Sequence, residues 1–328
     1  MQTVLEWLLR GDPAIRWQVQ RDLLAEEPRR YERERARIAH AGWGARLLSR
    51  QDADGNWGGG IYTPKWTSTT YTLLMLRDFG LPAVNPQARR ACTNFFFGGL
   101  EQDGGINLFK SMNFSETCVN GMMLSLLSYF RSPDDRLHNV ADYLLGEQMS
   151  DGGWNCRRIK GATHASFNTT ISVLEGLREY ARCIEPVPDS VTAAIGRGLE
   201  FLLNHRLYKS HRTGRIVDSE MTRLHFPPCW HYDILRGLDF FWSVKAARDE
   251  RMTDAIMLLE SRQMPGGRWQ LNKPWGGRVF FELEAVGRPS RWNTLRALRV
   301  LNWWHSSVES DLEHAFGPTS HPVGGLIR

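Results

Sequence analysis

Residues 51–57 read QDADGNW, and this Gln-x-x-x-Gly-x-Trp pattern returns as QMSDGGW at 148–154 and as QMPGGRW at 263–269. Two weaker copies keep the glycine in register, LEQDGGI at 100–106 and SHRTGRI at 210–216. Successive copies begin 49, 48, 62 and 53 residues apart. A recurring period of about fifty residues is typical of repeat architectures, in which each unit is one supersecondary element.

Helical patterns fill the intervals between the copies. Six apolar helices are predicted, and more charged, amphipathic helices lead into the motifs between them. No segment alternates with a period of two, so almost no sheet is expected. The apolar helices are predicted at 13–25, 67–80, 115–130, 166–181, 229–246 and 291–304. Predicted outer helices include 29–50, 136–148, 190–204 and 250–263.

Six buried helices that alternate with six outer helices predict an all-α fold, an (α/α)6 toroid. One domain is expected over residues 1–328, with a peripheral tail from about residue 306. In this fold the motif glutamine can bond exposed carbonyls at the end of an outer helix. The glycine supplies a left-handed backbone conformation, and the tryptophan folds back as an apolar plate between units. We therefore predict that the motifs are structural staples between repeats.

Composition and charge exclude several function classes. The 328 residues are 42% hydrophobic and 23% charged, and the net charge of +5 is dispersed, which argues against nucleic-acid binding. No apolar run approaches the ~18 residues of a membrane span, and the N-terminus has no signal-peptide pattern. The five cysteines are expected to be free thiols in a reducing cytoplasm. Peripheral contact with a membrane and the oligomeric state stay open.

The repeated motif on helix pairs resembles the α-toroid superfamily of terpenoid cyclases, such as squalene–hopene cyclases, and protein prenyltransferases. The resemblance runs from Gln51 to Trp304. Squalene–hopene cyclases are similar to two toroids in tandem, and their proton-donating Asp-x-Asp-Asp is absent here. The prenyltransferase β-subunits resemble single toroids in which Asp, Cys and His hold zinc near the first turns of inner helices. In the corresponding zone, SETCVN places Glu116 two residues before Cys118.

A zinc site is predicted where the inner helices begin. These helices point the same way, so their N-termini, with positive dipole ends, surround one opening. Two thiols and two imidazoles would suit tetrahedral zinc. The alternative is that the cysteines are small buried residues and the histidines a loop residue and a helix cap. The predicted ligands are Cys118, His164, Cys229 and His231.

Carboxylates and aromatic rings near the same opening complete the predicted site. Glu116 and Asp233 are candidate general acids or bases, with helix capping as the alternative. Arg291 is a candidate for binding a diphosphate or carboxylate. Aromatic side chains suit an isoprenoid and stabilise a carbocation, although core packing also explains them. The candidate wall is Trp66, Phe114, Phe167, Trp230, Tyr232 and Trp292, and Trp17 and Phe226 lie beside the same first turns.

Together these features predict an enzyme that acts on an isoprenoid or other hydrophobic small molecule in an aromatic-lined cavity, with zinc as cofactor. A non-catalytic toroid that binds such a ligand is one alternative. A carbohydrate hydrolase or lyase of the (α/α)6 type is another, since paired carboxylates beside a tryptophan-rimmed groove would serve that chemistry. A Cys/His cluster favours the first of these, and a metal-free protein favours the others.

Overall fold

The structure is a computed structural model, and it describes residues 3–97, 99–109 and 113–306. Its regular secondary structure is almost entirely helical, which confirms the predicted all-α class. The predicted peripheral tail lies outside the described residues beyond Ser306. None of the helices in the described ranges is long and apolar enough to cross a lipid bilayer.

The α-helices follow one another in this order: α1 (Val4–Leu9), α2 (Pro13–Asp22), α3 (Pro28–Ala36), α4 (Gly42–Leu48), α5 (Thr69–Phe79), α6 (Pro86–Thr93), α7 (Thr117–Tyr129), α8 (Leu137–Gly146), α9 (Phe167–Cys183), α10 (Asp189–Asn204), α11 (Ile234–Ser243), α12 (Thr253–Ser261) and α13 (Arg291–His305). Short 3-10 helices occupy Arg37–Ala39, Asn94–Phe96, Arg158–Lys160, Ser219–Thr222 and Glu250–Met252.

A small antiparallel sheet lies beside α13. Its strands, in spatial order, are β1 (Gln263–Met264), β2 (Arg268–Gln270) and β3 (Pro289–Ser290). Trp269 pairs with Gln263 on one side and with Ser290 on the other. The third motif therefore forms a hairpin.

The six predicted apolar helices correspond to α2, α5, α7, α9, α11 and α13. Helix α2 begins as predicted, because Asp12 caps it with a bond from the Ala14 N–H (2.9 Å) and Pro13 takes the first position. The prediction for α11 began too early. Cys229 has a φ of 54° and Asp233 caps the helix, so residues 229–233 form a turn. The predicted outer helix at 29–50 is also divided, into α3 and α4.

Each of these six helices contacts the next in chain order, and α13 returns to contact α2. The Trp17 indole of α2 donates to the Phe79 carbonyl of α5 at 2.7 Å, and α5 packs on α7. Arg236 of α11 bonds Glu175 of α9, and α13 packs on both α11 and α2. Of the described elements, α7 and α9 share the most extensive contact.

The close contact of α7 and α9 depends on two glycines. A Cβ atom on Gly121 would lie 2.7 Å from the Ser172 carbonyl oxygen, and one on Gly176 would lie 2.5 Å from the Gly121 carbonyl oxygen. These separations are too short for any side chain. The glycines therefore let the two backbones touch at the centre of the fold.

Each motif tryptophan is fully buried and makes the same two hydrogen bonds. Its indole N–H donates to a carbonyl in the last turn of the preceding outer helix, and its backbone N–H donates to a threonine hydroxyl in the first turn of the next inner helix. The indole bonds run from Trp57 to Leu47 (2.8 Å), from Trp154 to Leu144 (2.7 Å) and from Trp269 to Leu259 (2.8 Å). The threonines are Thr69, Thr170 and Thr294, each at 3.0 Å.

In the first two motifs the glutamine side chain bonds a residue beyond its own helix end. The Gln148 side chain donates to the carbonyl of the motif Gly152 (2.7 Å) and to that of Ala194 in the next outer helix (2.9 Å). Gln51 makes the equivalent pair of bonds. Gly152 has a φ of 90°, a conformation that favours glycine. The predicted staple is thus confirmed in the first two motifs, where it joins two outer helices and one inner helix; in the third motif Gln263 is exposed in β1, and among the described residues the tryptophan bonds alone are kept.

Candidate functional site

A cavity of about 470 Å³ lies among the six inner helices, and every one of them contributes to its wall. Most of the lining residues of α2, α5, α7 and α9 come from the C-terminal parts of those helices. Ligand pockets in proteins commonly have volumes of roughly 300–1,000 Å³. The cavity is therefore large enough for a small organic molecule.

Charged side chains dominate the wall of this central cavity. Eight arginines and one lysine face five carboxylates, which leaves an excess of four positive charges. The cations are Arg21, Arg35, Arg77, Arg178, Arg182, Arg236, Lys245, Arg296 and Arg299. The carboxylates are Asp22, Asp78, Glu175, Glu179 and Asp239. An excess of cations in a recessed site favours an anionic ligand.

Two carboxylates, Glu175 and Asp239, anchor the charged network. Glu175 of α9 bonds Arg236 at 2.8 Å and Arg77 at 3.0 Å, so it joins α9 to both α11 and α5. Asp239 of α11 bonds two arginines of α13, Arg299 at 2.6 Å and Arg296 at 3.2 Å. Because each carboxylate lies between two guanidinium groups, the network also ties neighbouring inner helices together.

The arginines keep these carboxylates ionised. Burial alone would raise the pKa of Glu175, but Arg236 and Arg77 hold that pKa far below its usual value. Burial would also raise the pKa of Asp239, but the charges of Arg299 and Arg296 lower that pKa below its usual value. Neither group therefore carries a proton to donate near neutral pH.

Aromatic rings form much of the rest of the wall. Trp17, Phe226, Phe240, Trp242 and Trp292 all line the cavity. The Trp292 ring stacks on Phe226, with centroids 4.1 Å apart. The cavity thus combines apolar surface with cationic groups, and Trp17, Phe226 and Trp292 belong to the aromatic wall predicted from the sequence.

Two buried N–H groups on this wall lack a protein partner. The side chain of Arg296 is 6% exposed and Trp292 is 2% exposed. Among the described residues, no hydrogen-bond acceptor pairs with Nη1 of Arg296 or with Nε1 of Trp292. Buried donors are normally paired, and leaving one unpaired costs roughly 1–3 kcal/mol. Both residues therefore present hydrogen-bonding capacity that a ligand acceptor could use.

The opening predicted at the N-terminal ends of the inner helices is covered by loops. The backbones of Lys65 and Trp66 exchange bonds with Arg278 (2.7 and 2.8 Å). His231 lies between the rings of Trp230 and Trp275, with centroid distances of 3.6 and 3.5 Å. Burial first, then the charge of Arg236, lowers the pKa of His231 to about 3, so this imidazole is neutral.

Several predicted site residues have packing or capping roles. Asp233 is 2% exposed, and its carboxylate accepts bonds from the N–H groups of Arg236 (2.8 Å) and His225 (3.2 Å). It is therefore the cap that the alternative interpretation expected. Phe167 packs on Tyr232 with ring centroids 5.1 Å apart, within the core.

Two further candidates lie apart from the central cavity. Arg291 donates to the Trp7 carbonyl at 3.2 Å, and its guanidinium lies 4.5 Å from the Trp7 ring. It therefore contacts α1. Phe114 is half-buried, with the Lys160 ammonium 5.8 Å from its ring.

Cys118 meets two neighbours that differ from its predicted partners. Donor atoms of Glu116, Cys118 and Cys156 all lie within 4.8 Å of one another. A hydrogen bond between the two thiols lowers the pKa of Cys156. The same hydrogen bond, together with burial, raises the pKa of Cys118. Burial raises the pKa of Glu116, against the charges of Lys160 and Lys65. Cys156 lies two residues after the motif Trp154 and is not among the four ligands predicted from the sequence.

The predicted set of four zinc ligands is not assembled. In the described part of the chain, the His, Cys, Asp and Glu group close enough to share a metal ion is Glu116, Cys118 and Cys156. His164 is exposed on the loop before α9. Cys229 borders a small void with Trp66, where burial raises the pKa of its thiol. The late start of α11 moves Cys229 and His231 out of the first turn where they were expected.

Sequence reasoning missed the charged residues of the central cavity, although a signal for them exists. The apolar helices contain charges within otherwise hydrophobic runs, as in LEGLREYAR at 174–182, LRGLDFF at 235–241 and LRALRVL at 295–301. A charge within a buried helix needs a partner or a ligand. Charges in several inner helices therefore indicate a shared polar centre.

Comparisons with known proteins leave the family open. No family model matches the sequence, and no curated protein matches it. A crystal structure of a protein from Actinoplanes aligns with 90% of this chain and 91% of its own, at 14% identity and a TM-score of 0.46. A likeness of that size supports no conclusion about fold family or function.

Proposed function

We propose that this chain is an (α/α)6 toroid that binds a hydrophobic small molecule bearing an anionic group, of the isoprenoid diphosphate type, in its central cavity. The toroid is supported by the order of helix contacts, since α2, α5, α7, α9, α11 and α13 follow one another and α13 meets α2 again. Helix α9 reaches α11 through the Arg236–Glu175 pair. A ring of six helices with a shared central cavity is the simplest arrangement that accounts for these contacts.

The chemistry of the wall supports an amphiphilic ligand. Aromatic faces such as Trp292 and Phe226 would bury an isoprenoid chain, and guanidinium groups are the preferred partners of phosphate oxygens. The observation that carries the proposal is the pair of buried, unpartnered donors, Arg296 Nη1 and Trp292 Nε1. Anionic oxygens that accept from these groups would satisfy donors that the folded protein leaves unpaired.

The cavity favours binding over proton-initiated catalysis. Glu175 and Asp239 are held ionised by arginines, so they are poor general acids. The same ion pairs disfavour a carbohydrate hydrolase at this site, because that chemistry needs one protonated carboxylic acid. Of the functions considered from the sequence, a toroid that binds a hydrophobic ligand agrees best with this cavity.

Calorimetric titration tests the proposal with three probes: farnesyl diphosphate, farnesol and inorganic diphosphate. We expect farnesyl diphosphate to bind more tightly than either part alone. Arg296→Met should weaken its binding by roughly 10- to 100-fold, because a hydrogen bond to a charged group contributes about 1.5–3 kcal/mol. Trp292→Phe keeps the ring and removes only the indole donor, so it should weaken binding by less.

Arg136→Met is the matched control, since Arg136 is paired with Asp134 near the surface and does not line the cavity. It should leave the affinity unchanged. No binding of any probe at millimolar concentration would refute the proposal. Equal affinity in the wild type, Arg296→Met and Trp292→Phe proteins would place the ligand elsewhere.

A zinc-dependent function is the second candidate, and one observation favours it. A carboxylate and two thiols with donor atoms within 4.8 Å of one another provide three suitable ligands, and a fourth position would stay open, as in catalytic zinc sites. Glu116, Cys118 and Cys156 would hold the ion, which would supply Lewis acidity when bound. Elemental analysis should find about one zinc per chain in protein purified without chelator. Cys118→Ser should lose it and Cys183→Ser should keep it. A metal-free wild type would remove this candidate.

A further inference from the structure

Cys118 and Cys156 form a thiol pair with unequal access to solvent. Cys156 lies on the loop after the second motif tryptophan and lines an open cleft of about 500 Å³. Cys118 belongs to the first turn of α7 and is not among the residues that line this cleft. Neither residue is among those that form the wall of the central cavity. Both are free thiols in the structure.

We propose that this pair is a peroxide-reactive site in which Cys156 is oxidised first and Cys118 then closes a reversible disulfide. The sulphur atoms are at most 4.8 Å apart. A disulfide bond of ~2.05 Å therefore requires them to approach by less than about 3 Å. A cysteine that lines an open cleft, with a second thiol next to it to resolve the oxidised form, is a common arrangement of a redox-sensing pair.

The chemistry is balanced with hydrogen peroxide as the oxidant. The Cys156 thiolate attacks one peroxide oxygen, the O–O bond breaks, and hydroxide leaves and takes up the thiol proton as water. The resulting sulfenic acid is attacked by the Cys118 thiol. An S–S bond forms, the S–O bond breaks, and a second water leaves. The two thiols lose two electrons in total, and a small thiol reductant reverses the change by exchange.

The disulfide would join two parts of the fold that are separate in sequence. Cys118 lies in the first turn of α7, whereas Cys156 lies between α8 and α9. The backbone N–H of Cys156 donates to the Thr169 hydroxyl of α9 at 3.3 Å, so the loop already rests on that helix. Oxidation would therefore tether the start of α7 to the loop that leads into α9.

The test treats full-length protein, freed of metal with a chelator, with hydrogen peroxide and then maps its peptides by mass spectrometry. We expect the intact mass to fall by two hydrogen atoms and the Cys118–Cys156 disulfide to be the main new species. Dithiothreitol should restore the starting mass. Because this readout uses the wild-type protein, it does not depend on whether a variant folds.

Three variants extend the test. Cys118→Ser should stop at the sulfenic acid, which dimedone would label at Cys156, and Cys156→Ser should form no disulfide. Cys183→Ser, which removes an exposed thiol of α9, should behave like the wild type. Five thiols that survive peroxide, a disulfide mapped to another pair, or dimedone labelling of Cys183 as fast as Cys156 would each overturn the inference.

Discussion

Replacing Trp154 by alanine should strongly destabilise the protein. The side chain is fully buried, and its indole N–H bonds the Leu144 carbonyl. A buried tryptophan removes about 150–250 Å² from water, which at about 25 cal/mol/Å² amounts to roughly 4–6 kcal/mol. Compactness of the unfolded chain reduces this figure by roughly 10–40%. We therefore expect a loss of about 3–5 kcal/mol in the free energy of unfolding, in agreement with tryptophan truncations generally.

Guanidinium denaturation followed by circular dichroism measures this loss, and two comparisons separate its parts. Trp154→Phe keeps most of the buried area and loses the indole bond, so it should cost about 1–3 kcal/mol. Ile216→Ala is the matched control at the equivalent position of the fourth motif copy. Ile216 is 51% exposed, and its truncation should change stability by less than about 0.5 kcal/mol. A cost below about 1 kcal/mol for Trp154→Ala, or equal costs for Trp154→Ala and Ile216→Ala, would refute the staple.

Two other substitutions test the structure through the same unfolding assay. Thr170→Val removes the hydroxyl that accepts the Trp154 backbone N–H, so we expect a loss of about 1–3 kcal/mol, whereas Thr192→Val on the exposed face of α10 should be nearly neutral. Glu175→Gln leaves Arg77 and Arg236 without their shared carboxylate and should cost roughly 3–5 kcal/mol; a neutral result would show that the network is not buried. The folded-state pKa of Glu175 is lowered, so the ionised side chain contributes fully to the free energy of unfolding above its unfolded pKa of ~4.3, and this contribution is lost as the pH falls below that value. The acid-induced loss of stability between about pH 5 and 2 should therefore be smaller in Glu175→Gln than in the wild type.

The staple could be predicted from the sequence because its parts are close together in the chain. Gln148, Gly152 and Trp154 lie within seven residues, and the helix end that the indole bonds is ten residues away. The threonine partner was missed because its separation from the tryptophan varies among the copies, at 12, 16 and 25 residues. A pattern of fixed spacing cannot identify a partner whose spacing depends on the length of the intervening loop.

The metal ligands could not be predicted in the same way. The zinc hypothesis needed the first turns of α7, α9 and α11 to meet at one point. A turn at 229–233 delays the start of α11, and His231 stacks between two tryptophans. Cys118 instead meets Cys156, whose loop folds towards α7. Loop paths of this kind depend on packing between distant segments.

A helical, repetitive protein can be predicted from the sequence, because apolar periodicity sets where helices form and the glycine and tryptophan of each full motif specify a local turn and a buried plate. The charged character of the interior depends instead on how distant helices pack together. Glu175 and Arg236 are 61 residues apart and bond because α9 and α11 pack side by side. Whether a charge within an apolar helix is paired depends on which side chains the neighbouring helix places opposite it. Sequence periodicity does not show which helix will be the neighbour.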